Sequence, residues 1–224
     1  MNNQQINIPK LRFPEFEDSW TNEKMGKLFS FKVTNSFSRE NLNYEVGSVK
    51  NIHYGDIHKN FHSLFDITKE SVPFINPEIA IERISKDNYC QEGDLILADA
   101  SEDLADVGKS IELVNLNNEN LLSGLHTILA RPEKEKFRIG FIGYLFKSNW
   151  VRTLIQKESQ GSKVLSISST RLSNISLLFP SKEEQSRIAS FFSAIDEKLK
   201  LETQRMAALK QYKKGVMQKL FSQE

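Results

Sequence analysis

Three clustered histidines, one cysteine and a run of acids are the side chains that could do chemistry here. His53, His58 and His62 are spaced H-x4-H-x3-H beside many acids, which raises the question of a metal site. The zinc spacing rules are not met and no second ligand group lies nearby, so loop or surface histidines are expected and no metal. Cys90 with a distant histidine would make a thiolate nucleophile. One cysteine and 4 histidines co-occur easily by chance, however, so a buried structural thiol is expected instead. Asp94, Asp99 and Asp106 suggest a carboxylate cluster, yet no partner motif for acid–base catalysis accompanies them. No G-x-G-x-x-G or Walker-type loop exists, so neither a dinucleotide nor a nucleoside triphosphate site is indicated. The chain reads as a recognition module: not an enzyme, and without a cofactor.

Composition narrows the class further. With 39% hydrophobic and 26% charged residues, the 224-residue chain is globular rather than disordered and can bury a sizeable core. No apolar run approaches the roughly 18 residues of a membrane span, and the polar start, Met1 to Asn7, is no signal peptide. With a single cysteine, cytoplasm is the expected compartment. The net charge of +1 does not itself suggest nucleic acid; its distribution is more telling. Residues 92–119 hold eight acids (Glu92, Asp94, Asp99, Glu102, Asp103, Asp106, Glu112, Glu119) against Lys109 alone. Residues 131–163 hold eight bases (Arg131, Lys134, Lys136, Arg138, Lys147, Arg152, Lys157, Lys163) against three acids. Such a basic segment fits a local polyanion contact, and on charge alone it fits a solvated helix face equally well.

The elements that must position these residues are α+β in type. An extended arm is expected over residues 1–19, then a short helix from Trp20 to about Phe31. β-type runs follow at Tyr44–Ile52, Asp94–Ala98, Lys109–Val114 and Thr127–Ala130, separated by turn signals such as Tyr54-Gly55-Asp56. Phe137 to Ile155 reads as one helix with Phe137, Phe141, Tyr144, Leu145, Ser148, Val151 and Ile155 on a face. A polar loop over 158–163 leads to short strands at Val164–Ile167 and Asn174–Phe179. The expected boundary falls near Phe179, giving a domain at 1–179 and a long helix at 180–224.

That helix opens with Ser181 and Glu184 as an S-x-x-E capping box. Apolar residues then recur at alternating steps of four and three, the pattern of a coiled-coil seam. Ile188, Ile195, Leu209 and Val216 hold one core position; Phe192, Leu199, Met206 and Leu220 hold the other. No Gly-Pro turn cluster lets the helix fold back on itself, so the seam needs a partner.

The segment from Pro180-Ser181-Lys182-Glu183-Glu184-Gln185-Ser186-Arg187-Ile188-Ala189 to Phe191-Phe192-Ser193-Ala194-Ile195-Asp196 resembles the conserved region of DNA-specificity subunits of type I restriction–modification systems. Pro9-Lys10-Leu11-Arg12-Phe13-Pro14-Glu15-Phe16 with Trp20 looks like the start of that family's target-recognition domain. Gly93 to Ser101 with Val107-Gly108-Lys109 looks like its central strands, and Gly161-Ser162-Lys163 through Ser168 like the segment before its last strand. Members usually carry two recognition domains and two long helices in tandem, whereas one of each is present here, as in a half subunit. The resemblance implies sequence-specific recognition of double-stranded DNA. Methyltransferase (modification) subunits, and through them an ATP-dependent restriction subunit, would supply the catalysis.

Under that resemblance, base reading calls for donors and acceptors at groove edges, with lysines on phosphates. The candidates are Lys50, Asn51, His53 and Tyr54 in the first polar turn and Lys109 after Gly108. Lys157, Gln160, Ser162 and Lys163 around the loop after the basic helix form a second group, and His126 is a further choice. The acidic stretch, Lys109 excepted, is expected to lie away from phosphate or to face a partner subunit. In the seam, Glu202 and Lys213 are the polar interruptions. An antiparallel homodimer that sets Glu202 against Lys213 also sets Leu209 against Met206, Val216 against Leu199 and Ile195 against Leu220. A one-heptad shift strands both charges. The rivals are a stand-alone dimeric DNA-binding regulator and a protein-binding coiled-coil adaptor.

Overall fold

The computed structural model describes residues 9–59 and 61–222. Residues 1–8 of the expected arm lie outside that range; from Pro9 to Trp20 the chain has neither helix nor strand. Residues up to Ser186 form one compact unit and those from Arg187 a second.

The first unit begins with β1 (Thr21–Lys24), α1 (Met25–Leu28), β2 (Phe29–Lys32), β3 (Leu42–Asn43) and β4 (Lys50–Ile52). Next come α2 (Tyr54–Lys59), β5 (Leu64–Asp66), β6 (Phe74–Ile75), β7 (Leu95–Ala98) and β8 (Ala100–Ser101). β9 (Ser110–Asn115), β10 (Leu121–Ser123), β11 (Thr127–Pro132), α3 (Ile142–Lys147) and α4 (Asn149–Glu158) follow. β12 (Leu165–Ser166), α5 (Ser169–Asn174), β13 (Ser176–Phe179) and α6 (Lys182–Phe221) complete the chain.

The main sheet has the order β2-β11-β7-β9-β5, antiparallel except at β5–β9. Its centre is β7, whose Leu95, Ile96, Leu97 and Ala98 are all fully buried, as a strand covered on both faces requires. Phe65, Ile96, Ile111, Leu113 and Leu129 of this sheet share a core with Ile52 and Ile57. A smaller sheet, β10-β4-β6-β3, packs around Val49, Ile75 and Leu122. Two antiparallel ribbons, β1–β13 and β8–β12, tie the distal segments back. The fold is mixed α/β with a long C-terminal helix.

Several elements differ from the sequence expectation, each for a visible reason. The helix expected from Trp20 to Phe31 is reduced to the single turn α1. Thr21–Lys24 is drawn into pairing with β13 and Phe29–Lys32 into pairing with β11, and strand pairing overrides a weak local period. The helix expected from Phe137 to Ile155 is two. Ser148, assigned to its apolar face, is instead extended and caps α4: its hydroxyl accepts from Val151 N–H and donates to Leu145 O. The Tyr44–Ile52 strand shrinks to β4 because the Asn43 side chain accepts from the N–H groups of Glu45 and Val46 and makes a turn there. Tyr54-Gly55-Asp56 is the first turn of α2, and α5 was not anticipated.

At the start of α6 the Ser181 half of the capping box forms, with Glu184 N–H donating to Ser181 Oγ at 3.4 Å. The Glu184 side chain does not reach back. It is buried, and accepts from Arg12 Nε at 2.8 Å, Arg12 Nη2 at 2.6 Å and Trp20 Nε1 at 3.3 Å. Within the second unit α6 continues unbroken to Phe221. Phe192, Ile195, Leu199, Met206, Leu209 and Leu220 are exposed, Ile188 and Val216 half-buried. Glu202 lies 3.8 Å from Arg205 one turn on. Among the described residues, no helix is long and apolar enough to cross a membrane.

Candidate nucleic-acid interface

The chain leaves β4 at Ile52 and turns into α2, placing the Tyr54 ring at the centre of three imidazoles. Ring centroids lie 4.6 Å away for His53, 5.8 Å for His58 and 5.3 Å for His126, the last two nearly perpendicular. Gly55 N–H donates to His53 Nδ1 at 3.2 Å, which leaves the ring proton of a neutral His53 on Nε2. Burial, and then the nearby Arg39, push the pKa of His53 down and keep it neutral.

His126 arrives from the loop between β10 and β11 in a left-handed conformation, φ 54°. A non-glycine residue held there costs about 1 kcal/mol or more, so its surroundings must fix it. They do: Asp99 N–H donates to His126 O at 3.0 Å, Tyr54 N–H donates to Leu125 O at 3.3 Å, and His126 Nδ1 lies 3.2 Å from Asp99 Oδ1. Burial raises the pKa of Asp99, and the contact with His126 opposes that shift.

The 160–164 loop reaches the same face through the β8–β12 ribbon. Gln160 and Ser166 exchange backbone hydrogen bonds of 2.8 and 2.7 Å, Leu165 pairs with Ser101, and Ile167 N–H donates to Asp99 O. Gly161, at φ 135°, permits the tight turn; a Cβ there would run into Val164 O. Gln160, Ser162 and Lys163 are exposed on this loop, and Lys157 is exposed on α4 just before it. His58 joins the two groups, its Nε2 3.1 Å from Ala100 O on β8. Lys109 sits on the far side of His58: its Nζ is 2.6 Å from Asp106 Oδ1 and donates to His58 O at 3.4 Å.

Of the residues singled out from sequence, His53, Tyr54, Lys109, His126, Gln160, Ser162 and Lys163 are thus brought together by short links. Lys50 and Asn51 are engaged elsewhere. Lys50 Nζ pairs with Glu119 at 2.6 Å and lies 5.3 Å from the centroid of the Phe74 ring. Asn51 has no exposed surface, and its Oδ1 accepts from Asn35 Nδ2 at 2.7 Å. Sequence reading missed His58, considered only as a metal ligand, and the Arg39–Asp56 ion pair (2.6 Å) at the base of the cluster.

Four acids of the 92–119 stretch are engaged by bases within the domain. Asp99 meets His126, Asp106 meets Lys109 and Asp94 takes Arg131 at 2.9 Å, so the supposed carboxylate cluster is three separate ion-pair or hydrogen-bond partners, and Glu119 meets Lys50. No group of three or more potential metal ligands gathers among the described residues. Cys90 is buried in the main core, where burial and then Asp94 raise its pKa and leave an unreactive thiol.

The mixed α/β domain and the long C-terminal helix define the fold class. Residues 17–211 match the family of the type I restriction modification DNA specificity domain, and the chain belongs to that family. It is 33% identical over 107 residues to a putative type I restriction enzyme MjaX specificity subunit of Methanocaldococcus jannaschii, covering 46% of this chain and 25% of that protein. Among solved structures it is similar to the S subunit of a type I restriction–modification system from M. genitalium. That match has a TM-score of 0.61 and 18% identity, over 95% of this chain and 48% of that one. It is also similar to the HsdS subunit of Thermoanaerobacter tengcongensis, with a TM-score of 0.55 and 16% identity, over 96% and 47%. The chain therefore spans about half the length of these solved subunits, and its matched segment covers a quarter of the curated relative.

Proposed function

We propose that this chain is a non-catalytic, sequence-specific recognition subunit for double-stranded DNA that directs methylation by partner methyltransferase subunits and cleavage by an ATP-dependent restriction subunit. Family membership supports the class. The observation that carries the site is the gathering of His53, Tyr54, His126, Lys109 and the Gln160–Lys163 loop around one edge of the domain. Such a face combines neutral donors and acceptors for base edges with lysines for phosphate. In a reconstituted complex with the methyltransferase, Tyr54→Ala combined with His126→Ala should abolish methylation of the target while non-specific DNA binding persists. Sequencing of methylated sites that finds the target unchanged refutes this face.

The proposal extends to the helix. Its apolar seam fits an antiparallel partner of the same sequence, with Glu202 opposite Lys213, and pairing of identical chains is most often two-fold. The overlap, residues 195–220, is roughly 39 Å long at ~1.5 Å per residue. Two recognition domains so spaced read a bipartite inverted repeat across an unread spacer. Lys213→Glu should weaken the dimer in sedimentation equilibrium and Glu202→Lys should restore it; no rescue rejects the register. An asymmetric methylated site rejects the two-fold reading.

A further inference from the structure

A cavity of about 310 Å³ opens beside the Tyr54–His58 cluster, between the end of α2, the start of β9 and the α3–α4 corner. Lys59, Lys109, Lys147 and Arg152 line it together with His58, and none of its described lining residues is acidic. Lys109 is partly neutralised by Asp106. Lys59 and Lys147 are exposed and make no ion pair among the described residues, so the cavity keeps a surplus of positive charge.

Two of its side chains also hold polar atoms that are buried without a hydrogen-bond partner, Arg152 Nη1 and His58 Nδ1. Arg152 is fixed in place, its Nη2 donating to Ala105 O at 2.9 Å and Val107 O at 2.7 Å, which leaves Nη1 as the unused arm of the fork. His58 is fixed through Nε2 on Ala100 O, leaving Nδ1 as the unused atom of its ring. A buried donor without an acceptor is costly, and the free guanidinium arm of Arg152 is satisfied by an oxyanion. Burial lowers the pKa of Arg152, a penalty that a bound anion removes.

We propose that this cavity seats one phosphate of the DNA backbone, with Arg152 as the fixed donor at its wall, the His58 ring beside it and Lys59 and Lys147 closing over it. This rests on the DNA reading above and adds a site that anchors the duplex one step away from the base-facing rings. A phosphate anchor positions the duplex without carrying sequence information. Arg152 thereby gains a role separate from its support of the 105–107 turn.

The test compares the full chain, in complex with its methyltransferase partner, with a Lys59→Gln, Lys147→Gln variant whose exposed side chains leave the packing intact. Binding to the methylated target duplex and to a scrambled duplex is titrated across salt concentration. Loss of one phosphate contact should flatten the slope of log K against log salt by about 0.9 and weaken both duplexes by the same factor. An unchanged slope overturns the pocket while leaving DNA recognition standing. A wild-type complex with no preference for the target overturns the DNA reading and the pocket with it. Inorganic phosphate is titrated separately while the ¹⁵N resonance of His58 Nδ1 is followed by NMR. A shift with phosphate and none with duplex assigns the cavity to a free anion and overturns the backbone assignment. A shift with duplex that vanishes in Arg152→Gln supports the backbone assignment.

Discussion

Glu112 on β9 is completely buried, and no cation pairs with it among the described residues. Its two oxygens accept from the N–H groups of Gly140 and Gly143, each at 2.7 Å, and so tie β9 to the start of α3. Burial pushes its pKa from 4.5 up to about 7, against the pull of the Gly143, Gly140 and Ile142 amides. Between those two values the folded protein holds a proton that the unfolded chain has released. The stability this confers is complete below about pH 4.5 and is lost as pH rises through 7. Linkage from pH 5 to pH 8 then gives a loss of roughly 2–3 kcal/mol from this one group. Glu112→Gln removes the titration, so the stability of the variant relative to wild type should rise by roughly 2–3 kcal/mol between pH 5 and pH 8. In urea titrations this is a relative midpoint shift of roughly 1 M, for an m value of about 2–3 kcal/mol/M. Taking the difference between the two proteins cancels the other titrating groups. A gap that stays the same at both pH values refutes the assignment.

Three further outcomes follow from other contacts. Gly108→Ala places a side chain at φ 65° against Ile155 Cγ2 and should cost about 1–3 kcal/mol, read by thermal denaturation. Arg131→Met leaves Asp94 buried without its cation and should cost about 3–5 kcal/mol at pH 8 in urea unfolding. That loss should shrink at pH 5, because burial already raises the pKa of Asp94 and the unpaired acid takes up a proton. Asn51→Ala should destabilise the fold by breaking the bond from Asn35 while leaving the methylated sequence unchanged, since Asn51 has no exposed surface.

The parts of the fold legible from sequence are those set by strong local signals. The long helix announced itself by a seam of period 3.5 and a serine cap, and Leu95–Ala98 by an apolar run short enough for a buried strand. Illegible were elements decided by distant partners. Thr21–Lys24 is a strand only because Ser176–Phe179 lies beside it, and nothing in its own four residues says so. Ser148 was read as one more position on an apolar face because a cap and a tolerated helical serine look alike without the Leu145 carbonyl in view. The same limit governs the site. Tyr54 stands out as part of a polar turn, the Gln160 loop as the segment after the basic helix and His126 as the flank of a strand, but only the long-range β8–β12 pairing and the backbone bonds of Asp99 bring them to one face. Lys50 and Asn51 were equally polar in sequence, and the Glu119 and Asn35 that engage them were too far along the chain to be seen.

The pairing of acids with bases across this domain bears on how it must bind. Lys50, Lys109 and Arg131 are each matched by a carboxylate, in a chain whose 30 basic residues stand against 29 acidic ones for a net charge of +1. The lysines around the candidate face that make no ion pair among the described residues are Lys59, Lys147, Lys157 and Lys163. If the first two share one phosphate and the others meet one each, a single domain has a salt slope of roughly −2.7 at about −0.9 per phosphate. That is a weak electrostatic hold, and the proposed pairing through the helix would turn the second domain's contacts into an intramolecular event. The paired protein should then show a slope of roughly −5.4 on a two-half-site duplex, again at about −0.9 per phosphate. Lys213→Glu, which separates the helices without touching the face, should halve the slope and lose the preference for two half-sites over one. An undiminished slope in that variant means that one domain holds the duplex alone and that the seam serves something other than DNA affinity.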